Sequence, residues 1–178
     1  VPLPPLDHLV INGIPETIYT GSLLRSRVEV YDTTGTIRPD EPLTFSTSNT
    51  EVVRVDRFGN VTPLRPGMAA LRVGAEGIES ELSLSVVDNP AVSIELVPDQ
   101  ESARTGDVVR FQTTVRDGQG GIVEGLPTFY SVQTHPNVEN PAAASSGQVA
   151  DDGRFVAELP GQYTVVANAG GMFAAVTV

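Results

Sequence analysis

Cysteine, lysine and tryptophan are all absent from this chain of 178 residues, whose 11 basic residues are therefore all arginine. Without cysteine there are neither disulfides nor thiolate metal sites, so stability has to come from packing and backbone pairing. Without lysine there is no side-chain amine in this segment for a Schiff base or for a lysine–asparagine isopeptide crosslink. Aromatic residues make up only 6% of the chain while 40% of it is hydrophobic, which predicts a folded protein with a core of Val, Leu, Ile and Ala. Basic groups are outnumbered by 22 Asp and Glu, giving a net charge of -11 that argues against nucleic acid and anionic membrane surfaces as partners. No apolar run approaches the roughly 20 residues of a membrane helix, so no membrane insertion is expected. The opening Val1-Pro2-Leu3-Pro4-Pro5-Leu6 has neither an initiator Met nor a basic leader, as expected of a processed or excised product.

What the chain does contain is an internal repeat. Thr20-Gly21 leads through an alternating stretch to Tyr31-Asp32-Thr33-Thr34-Gly35, and Thr105-Gly106 leads through another to Arg116-Asp117-Gly118-Gln119-Gly120. Both Gly106 minus Gly21 and Asp117 minus Asp32 give 85. Further along, Asp56-Arg57-Phe58-Gly59 with Pro66-Gly67 returns as Asp151-Asp152-Gly153 with Pro160-Gly161, and here both glycine pairs are 94 apart. The second copy has thus gained nine residues (94 minus 85) in between, which the matched flanks confine to a loop.

Each copy alternates with a period of two. Leu24, Ser26, Val28 and Val30 interleave with Arg25, Arg27, Glu29 and Tyr31, while Val109, Phe111, Thr113 and Val115 interleave with Arg110, Gln112, Thr114 and Arg116. One face of such a strand is buried and the other solvated. The recurring arginines are read as that solvated face, with anion binding as the minor alternative. Further short strands are predicted around 9–12, 43–47, 52–55, 60–64, 69–75 and 79–87, then at 92–97, 128–132, 147–150, 154–159, 162–169 and 172–178. Turn signals such as Thr34-Gly35, Phe58-Gly59, Pro66-Gly67 and Glu76-Gly77 separate them, and no long helical periodicity exists. The fold class expected is all-β: two tandem antiparallel β-sandwiches, residues 8–88 and 91–178, behind an extended arm at 1–7. Only about three residues around Asp88-Asn89-Pro90 link them, which predicts an end-to-end pair.

Residues of the first copy resemble a known family. The run Ser46-Thr47-Ser48-Asn49, then Val52-Val53-Arg54-Val55-Asp56, then Gly59-Asn60-Val61 through Pro66-Gly67-Met68-Ala69 to Val73, is similar to the bacterial Ig-like group 2 domain of intimin- and invasin-like surface proteins. The second copy matches more loosely, where Leu159-Pro160-Gly161-Gln162-Tyr163 resembles the Gly-X-Tyr turn of Ig-like and PKD-like sandwiches. In those folds the tyrosine hydroxyl fastens a strand to a neighbouring turn, and Ala69 holds the matching place in the first copy. The resemblance implies an extracellular or cell-surface bacterial setting, a spacer, stalk or adhesin role, and no active site.

Candidate chemistry is sparse. His8 and His135 are the two histidines, expected in exposed loops, and too few N or S ligands accompany them for zinc. Ser145, His135 and Asp151 would make a triad on paper, but no nucleophile elbow supports it. Asp117-Gly118-Gln119-Gly120, Asp151-Asp152-Gly153 and Asp88-Asn89 offer oxygens, yet no EF-hand loop, so turn chemistry is preferred to calcium. Asn60-Val61-Thr62 is a glycosylation sequon in a hairpin where Asn also serves the turn. The inserted stretch from about Gln133 to Ser146 is read as a variable loop, with a partner contact or an O-linked sugar as the alternative. No catalytic residue, cofactor or metal site is therefore assigned. The function expected is a non-catalytic extracellular structural module, a stalk or fibre-building unit whose partners are itself or neighbouring surface subunits, with the apolar arm and final strand as candidate contacts. The alternative is an accessory or carbohydrate-contacting spacer of a larger secreted enzyme or adhesin. A glycan partner normally needs an aromatic platform. With Trp absent and only Tyr19, Tyr31, Tyr130 and Tyr163 as tyrosines, the sequence offers little for one.

Overall fold

A computed structural model describes residues 3–134 and 146–178, and every regular element in them is a β-strand. The chain divides into two compact units, Val1–Asn89 and Pro90–Val178.

In the first unit, β1 (Leu6–Asn12) pairs antiparallel with β4 (Arg27–Asp32), and β3 (Leu24–Arg25) pairs with β7 (Asn60–Pro63), which pairs in turn with β6 (Val53–Val55). β3 and β4 are one alternating run interrupted at Ser26, whose backbone N–H and hydroxyl both donate to the Gly59 carbonyl, at 3.0 and 2.8 Å. These strands form one layer. The other layer is a four-stranded sheet in the order β2 (Thr17–Tyr19), β9 (Ile78–Val87), β8 (Gly67–Ala75), β5 (Thr44–Thr47). The sequence expectation omitted β2: it is three residues long, buries only Ile18, and pairs parallel to β9. So brief a strand carries no readable alternation.

The second unit repeats the first layer without interruption, as β10 (Ala91–Pro98), β11 (Val109–Asp117), β14 (Arg154–Ala157) and β13 (Gly147–Val149). Its second sheet is β12 (Thr128–Thr134), β15 (Tyr163–Ala169) and β16 (Met172–Thr177). A four-stranded sheet in this order facing a three-stranded one is the arrangement of an immunoglobulin constant-type sandwich. The repeat extends to irregularities. The pairing of β1 with β4 slips between Leu6 and His8, and that of β10 with β11 slips between Ala91 and Ser93, again 85 residues later. Isolated bridges join Tyr31 to Ile37 and Arg116 to Ile122 at the same offset.

Two expectations are corrected. The arm joins the sheet sooner than residue 8: β1 starts at Leu6, Thr33 N–H donates to the Pro5 carbonyl at 3.0 Å, and Arg38 donates to the Pro4 carbonyl at 3.2 Å. The apolar Leu6 packs on the core and fixes the entry of the chain. Nor is the core aliphatic throughout. The first unit conforms, with Ile18, Leu71, Leu84, Val53, Val61 and Val73 all fully buried. At the positions of Ser26, Val61 and Ala69, however, the second unit has Phe111, Phe155 and Tyr163, which pack ring on ring at 6.3 and 5.4 Å between centroids. Phe111, Phe155 and Tyr163 thus meet in one core, a grouping that average composition hides. Gly147 lies under the Tyr163 ring, where a Cβ would sit 2.7 Å from it.

Candidate functional site

The acidic turns are held by their own backbones. Asp32 is buried and its Oδ1 accepts bonds from Thr34 N–H at 2.9 Å, Thr34 Oγ1 at 2.6 Å and Thr36 N–H at 3.1 Å. Asp117 repeats this with Gln119 N–H at 2.9 Å and Gly121 N–H at 2.8 Å, and Asp56 does so with Phe58 N–H at 2.8 Å and Asn60 N–H at 3.0 Å. The residue type follows from the geometry: a short acceptor two residues ahead of the amides closes the turn. Asp152 pairs with Arg154 at 2.7 Å. The sequon residue Asn60 donates its side-chain amide to Asp56 at 2.7 Å, so its nitrogen serves the turn. Among the described residues, no group of three or more His, Asp and Glu is placed to hold a metal ion.

These bonds favour the ionised carboxylates. Asp32 is held below the ordinary carboxylate range first by the Thr34 hydroxyl, Asp56 by the Asn60 side chain and Asp152 by Arg154. A carboxylate with a lowered folded-state pKa contributes stability above its unfolded value of about 3.9, and that contribution is lost as pH falls through the folded value. The melting temperature is therefore expected to fall from about pH 4.5 downward. Asp32→Asn should flatten part of that fall; thermal melts from pH 6 to pH 2 check it, and an unchanged slope in the variant would exclude Asp32 as a contributor.

His8 lies on β1 rather than in a loop, exposed, with its ring stacked on Tyr31 at 4.8 Å and its Nδ1 2.8 Å from Asp7. His135 and Ser145 lie outside the described residues, as does nearly all of the inserted stretch, so the paper triad contributes only Asp151, exposed in its turn. Tyr130 points inward: its hydroxyl lies 2.9 Å from Thr113 Oγ1 and rests over Gly153. Tyr163 is buried and its hydroxyl donates to the Leu159 carbonyl at 2.8 Å, with Ser146 Oγ at 2.6 Å. This is the strand-to-turn fastening expected from Gly161-Gln162-Tyr163. Tyr163→Phe removes that bond from the part-buried Leu159 carbonyl, so the second unit is expected to lose about 1–3 kcal/mol. Chemical denaturation would measure it, and a loss below a few tenths would show the bond to be incidental.

The outer faces of the two equivalent sheets differ in charge. In the first unit Arg72 on β8 and Glu81 on β9 lie opposite each other, joined at 2.7 Å, with Glu79 alongside. In the second unit, β12, β15 and β16 contain no charged residue at all. Cross-strand register puts Phe129, Asn168 and Phe173 in one outward row and Ser131, Val166 and Ala175 in the next. Only the side chains of β12, β15 and β16 that face the other way reach the core.

Comparison with known proteins gives the following. No family model matches the chain. A curated protein, the A type blood N-acetyl-alpha-D-galactosamine deacetylase of Flavonifractor plautii, is 28% identical over 120 residues, covering 66% of this chain and 15% of that protein. The chain thus spans a small part of the relative it matches. Among solved structures, domains 4 and 5 of the S-layer protein SbsC align over 97% of both chains at 18% identity with a TM-score of 0.43. The Yersinia pseudotuberculosis adhesin InvE aligns over 96% of this chain and 58% of its own at 16% identity, TM-score 0.44. No helix among the described residues is long and apolar enough to cross a membrane.

Proposed function

We propose that this chain is a non-catalytic structural module of a bacterial surface or secreted protein, a stalk or fibre-building unit made of two Ig-like sandwiches. The observation that carries this reading is the use of the polar side chains. Asp32, Asp56 and Asp117 accept bonds from their own turns, Tyr163 closes a corner, and Ser26 joins two strands. Side chains engaged in this way hold a scaffold and leave none of these groups to act on a substrate. The group 2 resemblance of the first copy, from Ser46 to Val73, supports the bacterial extracellular setting.

A second reading has its own support. Similarity over 120 residues to part of a glycan deacetylase favours an accessory module within a larger secreted enzyme. Both readings place the chain outside the cytoplasm. An antibody raised against it is expected to label intact host cells or the culture medium; detection only after lysis, in the cytoplasmic fraction, would sink both. Light scattering across a concentration series, with electron microscopy of the same fractions, separates the structural roles: filaments identify a fibre-building unit, and a monomer at every concentration a spacer.

A further inference from the structure

We propose that the outer face of β12, β15 and β16 is a contact site for a neutral glycan, with Phe129 and Phe173 stacking on sugar rings either side of Asn168. This goes beyond the structural role and does not depend on it. Phe129 and Phe173 are 47% and 66% exposed, each directly opposite Asn168 in the register of the sheet. Neighbouring strands are ~4.8 Å apart, so the two phenyl-bearing positions are roughly 10 Å apart across the sheet. That is about the length of a disaccharide. The half-exposed Asn168 amide supplies both a donor and an acceptor in between. A sugar ring presents an apolar C–H face to an aromatic ring and hydroxyls at its rim, and this row offers a counterpart to each.

Charge and area select the class of occupant. The chain has 33 charged side chains (22 acidic plus 11 basic) and a net charge of -11, yet none lies on these three strands. An anionic polymer, a phosphate or a basic peptide would find no counter-charge on the face. A second copy of the chain would find an uncharged face to approach, but too small a one. Three strands of about six residues turn roughly half of their side chains outward, about nine, against the roughly 20–30 residues a side of a stable protein–protein interface. A glycan strand fits that width. The matching face of the first unit, crossed by Arg72 and Glu81, serves as an internal contrast.

The test is affinity electrophoresis of the full chain through gels cast with galactomannan, xyloglucan or glycogen as neutral probes and hyaluronate as the anionic control. At least one neutral polymer should retard the protein and hyaluronate should not. Phe129→Ala and Phe173→Ala should each weaken retardation roughly two- to tenfold, the worth of one aromatic contact. Both side chains are outside the core, so thermal melts of the variants should match the parent. Asn168→Ala should weaken binding without abolishing it. The proposal is overturned if no neutral polymer retards the chain, if hyaluronate alone does, or if retardation survives both phenylalanine substitutions. It is equally overturned if light scattering shows a dimer that either phenylalanine variant dissociates, since the face would then belong to a second copy.

Discussion

Replacing Gly153 by alanine should unfold the second sandwich at a temperature far below that of the parent while the first sandwich keeps its own transition. Gly153 has φ 79°, a left-handed conformation that costs an L-residue about 1–2 kcal/mol. A Cβ there would also lie 2.5 Å from the Phe111 carbonyl oxygen and 3.3 Å from the Tyr130 ring. The carbonyl belongs to the backbone of a central strand, and Phe111 N–H donates to the Gly153 carbonyl at 2.9 Å, so neither side can move without breaking the ladder. Strain and clash together are expected to cost about 3 kcal/mol or more. In a domain of this size each kcal/mol shifts the midpoint by roughly 4–8 °C. Gly120→Ala is the control: it has φ 84° but open space around it, and should cost only the conformational ~1–2 kcal/mol. Equal losses in the two variants, measured by calorimetry, would remove the close approach as the cause.

The corresponding effect in the first sandwich comes from its aliphatic centre. Leu71 on β8 is fully buried opposite Leu82 on β9 and Thr47 on β5, and belongs to a cluster with Val53, Val61 and Leu84. Leu71→Ala removes three carbons from the middle of that cluster and leaves a cavity which strands on both sides keep from collapsing. The expected loss is about 2–5 kcal/mol, confined to the first unit. Denaturant titration with a probe in each unit checks this. A loss under about 1 kcal/mol would mean the layers repack around the gap.

Much of this architecture was legible in the sequence because the chain repeats its irregular features as well as its strands. The 85-residue offset located equivalent turns at Asp32 and Asp117, and the structure gives both the same backbone bonds. The alternation of Leu24 to Tyr31 set the inward face correctly, with Leu24, Ser26 and Val30 buried and Arg25 and Arg27 exposed. Tyr163 was legible as a fastening through the resemblance of Leu159-Pro160-Gly161-Gln162-Tyr163 to the Gly-X-Tyr turn of Ig-like and PKD-like sandwiches, and its hydroxyl makes that bond. Other features were not local. β2 depends on a parallel partner more than 60 residues away, at Ser85 to Val87, so nothing near Thr17 signals it. The aromatic core arises from Phe111, Phe155 and Tyr163 meeting across three strands. The uncharged face was half visible: no charged residue occurs from Pro160 to Val178. Only register, which sets Phe129 and Phe173 on either side of Asn168, turns that run into a surface. Composition alone assigns phenylalanine to the core, so nothing local marks Phe129 and Phe173 as exposed.

Two sandwiches, each with its own core, are expected to fold without help from each other. Residues 1–89 and 90–178 expressed separately and compared with the whole chain by scanning calorimetry test this most directly. Each piece is predicted to melt cooperatively, with the Gly153→Ala shift present only in the second piece and the Leu71→Ala shift only in the first. If either piece alone shows no cooperative transition, the unit of folding is the pair, and the reading of this protein as a tandem of independent modules is wrong.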